Sequence, residues 1–198
     1  NDEFDLLRIV SNAVRAMSEG ELLQIEKARK MNITEDVYFE VIRQKTATLI
    51  ASCTASGAKS VSADDETVEN MRKFGEYVGM AFQIRDDLFD YQKTNITGKP
   101  TGNDIKEKKM TLPLIYALHQ ATGKERKRII RLVKHNKKSS KNIQEVVDFV
   151  KKHGGLDYAR EKMQEFKQKA MDILDTYPET ETREAISALV EFTVRRNK

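Results

Sequence analysis

Tryptophan is absent from these 198 residues, cysteine occurs once, and proline occurs three times. A lone cysteine, Cys53, excludes an intramolecular disulfide framework. In its apolar stretch it reads as a small buried hydrophobe in a reducing compartment. With only 9 Gly and 3 Pro there is little material for linkers or turn-rich β architecture, and no low-complexity tract argues for disorder. No run approaches the roughly 18 apolar residues that a membrane-spanning helix needs, and no charged-then-apolar leader opens the chain. These absences predict a soluble, cytoplasmic chain with no transmembrane segment. Neither sign of charge dominates: 35 basic against 31 acidic side chains leave +4, too small an excess to argue for a nucleic-acid partner.

What is present is helical patterning. Apolar residues recur at three- and four-residue steps along most of the chain, as in Leu156, Ala159, Met163, Phe166, Ala170 and Ile173. That spacing is a helical stripe and not a strand alternation. Thr34 before Glu35 and Asp36 marks a helix start, and Ser62 with Asp65 resembles a capping box, which predicts helices over about 35–57 and 63–91. Asn142 with Glu145 repeats the capping pattern, Gly154-Gly155 marks a helix end, and Pro178 precedes a final helix ending near Arg195. Tyr91 to Asp104, with Gly98, Pro100 and Gly102, reads as the one substantial loop. The Lys- and Arg-rich stretch from Lys124 to Lys141 reads as a solvated helix face and loop. One domain, 1–198, is the expectation from length. Asn1 stands where Met would, and an amphipathic pattern is under way by Leu6 and Leu7, which suggests a chain cut from something longer.

The sharpest chemical feature is Phe82-Gln83-Ile84-Arg85-Asp86-Asp87-Leu88-Phe89-Asp90. Asp86 and Asp90 lie four apart, one above the other on a helix face, with Asp87 beside them. Like charges so placed call for a cation, and oxygen donors with substrate phosphates are the usual surroundings of Mg2+. Interleaved Tyr77, Met80, Ala81, Ile84 and Leu88 set these acids near a core or cleft. Lys99, Lys106, Lys108 and Lys109 follow within Gly98–Leu114, and lysines close after metal-binding acids suit a diphosphate. Upstream, Lys45-Thr46 stands on a mostly apolar helix. Taken alone, the pair reads more readily as a snorkelling lysine beside a backbone-bonded threonine than as a phosphate site. Asp64-Asp65-Glu66 with Glu69 reads as helix-start acidity.

Together, Lys45-Thr46-Ala47, the Phe82–Asp90 string and Gly98–Leu114, in this order and spacing, resemble the trans-isoprenyl (polyprenyl) diphosphate synthases. The string Met17–Gln24 is most similar to the bacterial octaprenyl and related long-chain members. The resemblance covers essentially all of the chain but only the C-terminal portion of a family member. It implies an all-α helical bundle of the isoprenoid synthase type, incomplete because the N-terminal helices are absent. It implies head-to-tail condensation of isopentenyl diphosphate with an allylic diphosphate, with Mg2+ as cofactor and a homodimeric assembly. Position by position, Asp86 would ligate one Mg2+ directly, with Asp87, Asp90 and Asp104 acting through metal-bound water. Lys45, Lys99 and Lys109 would grip the allylic diphosphate, and Thr46 and Gln83 would stand beside the allylic cation. Arg195 and Arg196 resemble a basic tail that closes the site, although two arginines at the end of a surface helix are usually just that.

The family places a first aspartate-rich motif across the bundle, upstream of everything present here, which predicts that these residues alone are inactive. Apolar faces meant for the missing helices predict self-association. The competing reading is a non-catalytic regulatory subunit of a heteromeric synthase. A terpene cyclase would share the fold and the ionisation step, but the Lys45 and Gly98–Leu114 strings belong with chain elongation.

Overall fold

A computed structural model describes residues 4–30, 33–92, 102–134 and 140–195. Among the described residues every regular element is helical. They are α1 (Phe4–Lys30), α2 (Glu35–Ile42), a π-helical turn (Arg43–Ala47), α3 (Thr48–Ser60), α4 (Asp65–Phe89), α5 (Asn103–Lys106), α6 (Leu112–Gln120), α7 (Gly123–Lys134), α8 (Ser140–Lys152), α9 (Gly155–Leu174) and α10 (Glu181–Arg195). None of them is long and apolar enough to cross a membrane.

Helix α4 organises the bundle, packing chiefly against α3 and α9 and meeting the π turn, α2, α6 and α10. Its seam with the π turn and α3 is built from small residues. A methyl group added at Gly79 would lie 2.5 Å from Ala47 Cα, and one at Gly75 would lie 2.8 Å from Ala51 Cα. The two backbones therefore touch, and Ala47 is fully buried. The main core includes Ala47 and continues through Ile84, Leu88, Leu112, Leu114, Ile115 and Val150, all at most 3% exposed. A second cluster of Phe74, Ala170, Leu174 and Val190 joins α4 to α9 and α10.

Local chemistry explains several of the predicted boundaries and corrects others. Thr34 caps α2, its hydroxyl accepting from Val37 N at 3.4 Å. The helix expected over 35–57 is interrupted by the π turn, which inserts one residue into the ladder where Lys45 and Thr46 sit. The cap of α4 is Asp64 and not Ser62: its carboxylate accepts from Thr67 N at 2.7 Å, while Ser62 occupies the left-handed region at φ 59. Asn142 lies inside α8, which begins at Ser140, so it caps nothing. Gly154 ends α8 and opens α9 at φ 71, a conformation glycine adopts without steric cost. Cys53 is exposed, because α3 turns Ala51, Ser52 and Ala55 inward instead.

On α1, Phe4, Leu7, Val10 and Val14 are 50–71% exposed, an apolar stripe at helical spacing with no cover among the described residues. The seam yields a direct test of the packing. Gly79→Ala is expected to destabilise the fold by about 1–3 kcal/mol through overpacking against Ala47, measured by urea denaturation. Unchanged stability would show that the helices do not meet as described.

Candidate active site

A cavity of about 230 Å³ opens where α2, the π turn, α4 and the α5–α6 connection converge, lined by Lys45, Thr46, Gln83, Asp86, Asp87, Asp104 and Lys109 among others. Seven of the candidate residues read from three separate strings thus line one cavity. Asp90 does not line the cavity. Its Oδ2 accepts the backbone N–H of Asp104 at 3.1 Å, so it caps the first turn of α5. Lys99 lies outside the described residues, as does Arg196. Arg195 is spent on Glu191 at 3.0 Å.

The most buried carboxylate of the site is Asp87, 6% exposed. Both of its oxygens are engaged within the protein: Tyr38 Oη donates to Oδ2 at 2.7 Å and Gln83 Nε2 donates to Oδ1 at 2.9 Å. Gln83 Oε1 in turn accepts from Thr46 Oγ1 at 3.0 Å. The relay fixes the Gln83 amide in one orientation. It also commits the Thr46 proton inward, leaving the hydroxyl lone pairs toward the cavity. Asp86, one residue earlier on α4, is exposed and lines the same cavity.

Two lysines flank the acids. Lys45 Nζ donates to Gln24 Oε1 at 2.7 Å and pairs with Glu21 at 3.0 Å, both from α1. That approach depends on Gly20, where an added methyl would lie 2.8 Å from Lys45 N. Lys109 pairs with Asp104 at 3.0 Å and Glu107 at 2.7 Å. Burial alone would lower its pKa, but the bonds to Glu107 and Asp104 prevail and hold it above the usual lysine value.

Among the described residues no three His, Cys, Asp or Glu side chains converge into a protein-only metal cage. The set present is hard oxygen donors beside lysines, which fits an ion held by one or two carboxylates and completed by substrate phosphates and water. Both Asp87 oxygens are engaged inside the protein, whereas Asp86 is the exposed carboxylate on the cavity lining. Sequence reasoning passed over Tyr38, although its seven-residue spacing from Lys45 put both on one helix face. It also passed over Gln24 as the partner of Lys45.

Burial raises the Asp87 pKa to about 7 against the bonds from Tyr38 and Gln83, and burial with the Asp104 charge raises Asp90 to about 6. Unfolded, both ionise near 3.8. The native state therefore holds extra protons through that window, and stability falls as pH rises from about 4 to about 7. Denaturation in EDTA is expected to show that fall. Asp87→Asn is expected to flatten most of it and to be relatively more stable above pH 7; a wild-type profile flat across the window would contradict the burial of Asp87.

A sequence profile described as Polyprenyl synthetase matches residues 1–150. The chain is 32% identical to octaprenyl diphosphate synthase of Escherichia coli over 194 residues, covering 98% of this chain and 60% of that protein. It also resembles the crystal structure of a polyprenyl synthase from Caulobacter crescentus complexed with calcium and isoprenyl diphosphate. The TM-score is 0.91 at 32% identity, over 98% of this chain and 60% of that one. Geranylgeranyl pyrophosphate synthase from Bacteroides thetaiotaomicron superposes with a TM-score of 0.90 at 38% identity, over 98% of this chain and 64% of that one. The chain thus spans about 60% of the length of the curated relative it matches.

Proposed function

The chain belongs to the polyprenyl synthetase family, and from that premise we propose that it forms part of a Mg2+-dependent trans-prenyltransferase. The reaction joins isopentenyl diphosphate to an allylic diphosphate and yields a longer trans-polyprenyl diphosphate, octaprenyl or similar, of the kind used for quinone side chains. The observation that carries this reading is the single cavity wall on which Lys45, Thr46, Gln83, Asp86, Asp87 and Lys109 meet. A solved relative that holds a divalent cation and an isoprenyl diphosphate supports it.

In this reading Asp86 holds Mg2+, with Asp104 contributing through water and Asp87 and Asp90 supporting the arrangement from behind. When bound, the ion supplies positive charge that stabilises the departing diphosphate. Lys45 and Lys109, with Lys99 from outside the described residues, orient that diphosphate and neutralise its developing charge. The Thr46 lone pairs face the electron-poor allylic carbon, because the hydroxyl proton is committed to Gln83. Tyr38 positions this relay through Asp87. No protein nucleophile is required: the allylic C–O bond breaks as diphosphate leaves, the double bond of isopentenyl diphosphate attacks the allylic carbon, and the departed diphosphate takes up the proton whose loss restores the alkene.

The 198 residues alone are proposed to be inactive, since one acidic wall leaves the remaining metal ligands to be supplied from elsewhere. The protein is proposed to work as a cytoplasmic homodimer, a reading supported by the uncovered apolar stripe on α1. The intact cavity wall favours a catalytic chain over a degenerate regulatory subunit.

The test is an assay with labelled isopentenyl diphosphate, an allylic primer and Mg2+. An N-terminally extended form is expected to make polyprenyl diphosphate and the present chain alone to make none. Asp86→Ala in the active form is expected to lose at least about a hundredfold in kcat. Tyr38→Phe, which removes one bond to a charged group, is expected to lower kcat about tenfold with KM little changed. Full activity in Asp86→Ala, or none in any form, would refute the assignment.

A further inference from the structure

We propose that the outer face of α7 is a docking surface for an anionic membrane leaflet. The segment Lys124–Lys141 holds nine of the 35 Lys and Arg but one of the 31 Asp and Glu, which leaves 26 basic against 30 acidic side chains in the rest of the chain. The small net positive charge of the protein is therefore a strongly basic segment on an otherwise mildly acidic body.

The structure arranges that charge. Lys124, Lys127, Arg131 and Lys134 fall at i, i+3, i+7 and i+10 and are all exposed, a stripe running about 15 Å along one side of α7. The opposite side is already used, with Ile129 and Val133 buried at 3% and 1%. The acids nearby are engaged away from the stripe: Glu125 pairs with Lys152 at 2.9 Å and Glu145 with Arg128 at 2.7 Å. None of the four stripe cations forms an ion pair with another described residue.

Arg131 and Lys134 stand in the last turn, where the helix dipole favours cations, but the rest of the distribution does nothing for the helix itself. Lys124 and Lys127 stand near the N-terminus, where the helix dipole disfavours cations. Lys124 with Arg128 and Lys127 with Arg131 place like charges one turn apart, which is destabilising. Charge that in part weakens its own helix, and that forms no ion pair among the described residues, points to an external anion. A single convex helix suits a flat surface. α7 has no aromatic side chain to stack on a base, which disfavours single-stranded nucleic acid. The apolar face of α7 is spent on the core, so attachment is electrostatic, without insertion. The product of the proposed reaction would carry an apolar tail best held near a membrane, whereas the basic stripe on α7 is independent of that reaction.

The test uses this chain and vesicles without prenyl substrate, so its outcome is separate from that of the activity assay. The chain is expected to co-sediment with equimolar phosphatidylglycerol and phosphatidylcholine vesicles at low salt, not with pure phosphatidylcholine, and to release at about 0.5 M salt. Each basic side chain near an anionic surface strengthens binding roughly fivefold. Combined Lys124→Glu, Lys127→Glu, Arg131→Glu and Lys134→Glu is thus expected to weaken it by at least about a hundredfold. Changing the four residues to Gln gives the same loss of binding if the reversal perturbs the fold. The four-Gln variant is expected to melt no lower than wild type, since it removes the like-charge pairs within α7. Absence of binding to the anionic vesicles, binding unaffected by either variant, or tighter binding to duplex DNA than to the vesicles would overturn the proposal.

Discussion

Burial of one carboxylate constrains the site more than any other feature. A carboxylate removed from water is costly unless its oxygens are hydrogen-bonded, and stripping a partner from a buried charge typically costs about 3–5 kcal/mol. Asp87 meets that demand with Tyr38 from α2 and Gln83 from its own helix. Satisfying it ties α2 to α4, fixes the Gln83 amide, and through Gln83 fixes the Thr46 hydroxyl. Two adjacent aspartates of one motif thereby take different parts: Asp87 holds the wall together from within, and Asp86 faces the cavity.

Packing delivers the remaining groups to that wall. The Gly75 and Gly79 contacts with Ala51 and Ala47 bring the α3 and α4 backbones together, and the π turn beside that seam carries Lys45 and Thr46. Gly20 allows α1 to run against the same turn, so that Glu21 and Gln24 reach the Lys45 ammonium. On the far side, Asp90 anchors the N-terminus of α5, which sets Asp104 and then Lys109 in place. Small residues that make no chemical contribution thus determine where the charged ones stand.

The helical class was legible in the periodicity, and the strings that hold Asp86, Lys45 and Lys109 are the ones the fold brings to one cavity. The capping threonine at Thr34 and the break at Gly154 were legible for the same reason: each depends on neighbours within a few residues. Other features depend on partners far away in sequence. Ser62 looked like a cap, but Asp64 held the better acceptor once the chain turned. The π turn leaves no signature in Arg43–Ala47, because it arises from packing against α1 and α4. Asp90 read as a metal ligand by its four-residue spacing from Asp86, yet α5, fourteen residues on, claims its carboxylate. Tyr38 and Asp87 are 49 positions apart, beyond the reach of any helical pattern. The basic stripe on α7 was visible as composition, but its lack of ion-pair partners among the described residues emerged only from the placement of Glu125 and Glu145.

The central claim is that Asp86 ligates the metal while Asp87 stays bonded to Tyr38 and Gln83. It is tested most directly by a crystal structure of an N-terminally extended form with Mn2+ and an unreactive allylic thiodiphosphate, read by anomalous scattering. The expected result is a metal peak at Asp86, diphosphate oxygens at Lys45 and Lys109, and the Tyr38–Asp87 bond intact. A metal ligated by Asp87 with Tyr38 displaced, or a diphosphate bound away from both lysines, would contradict the account.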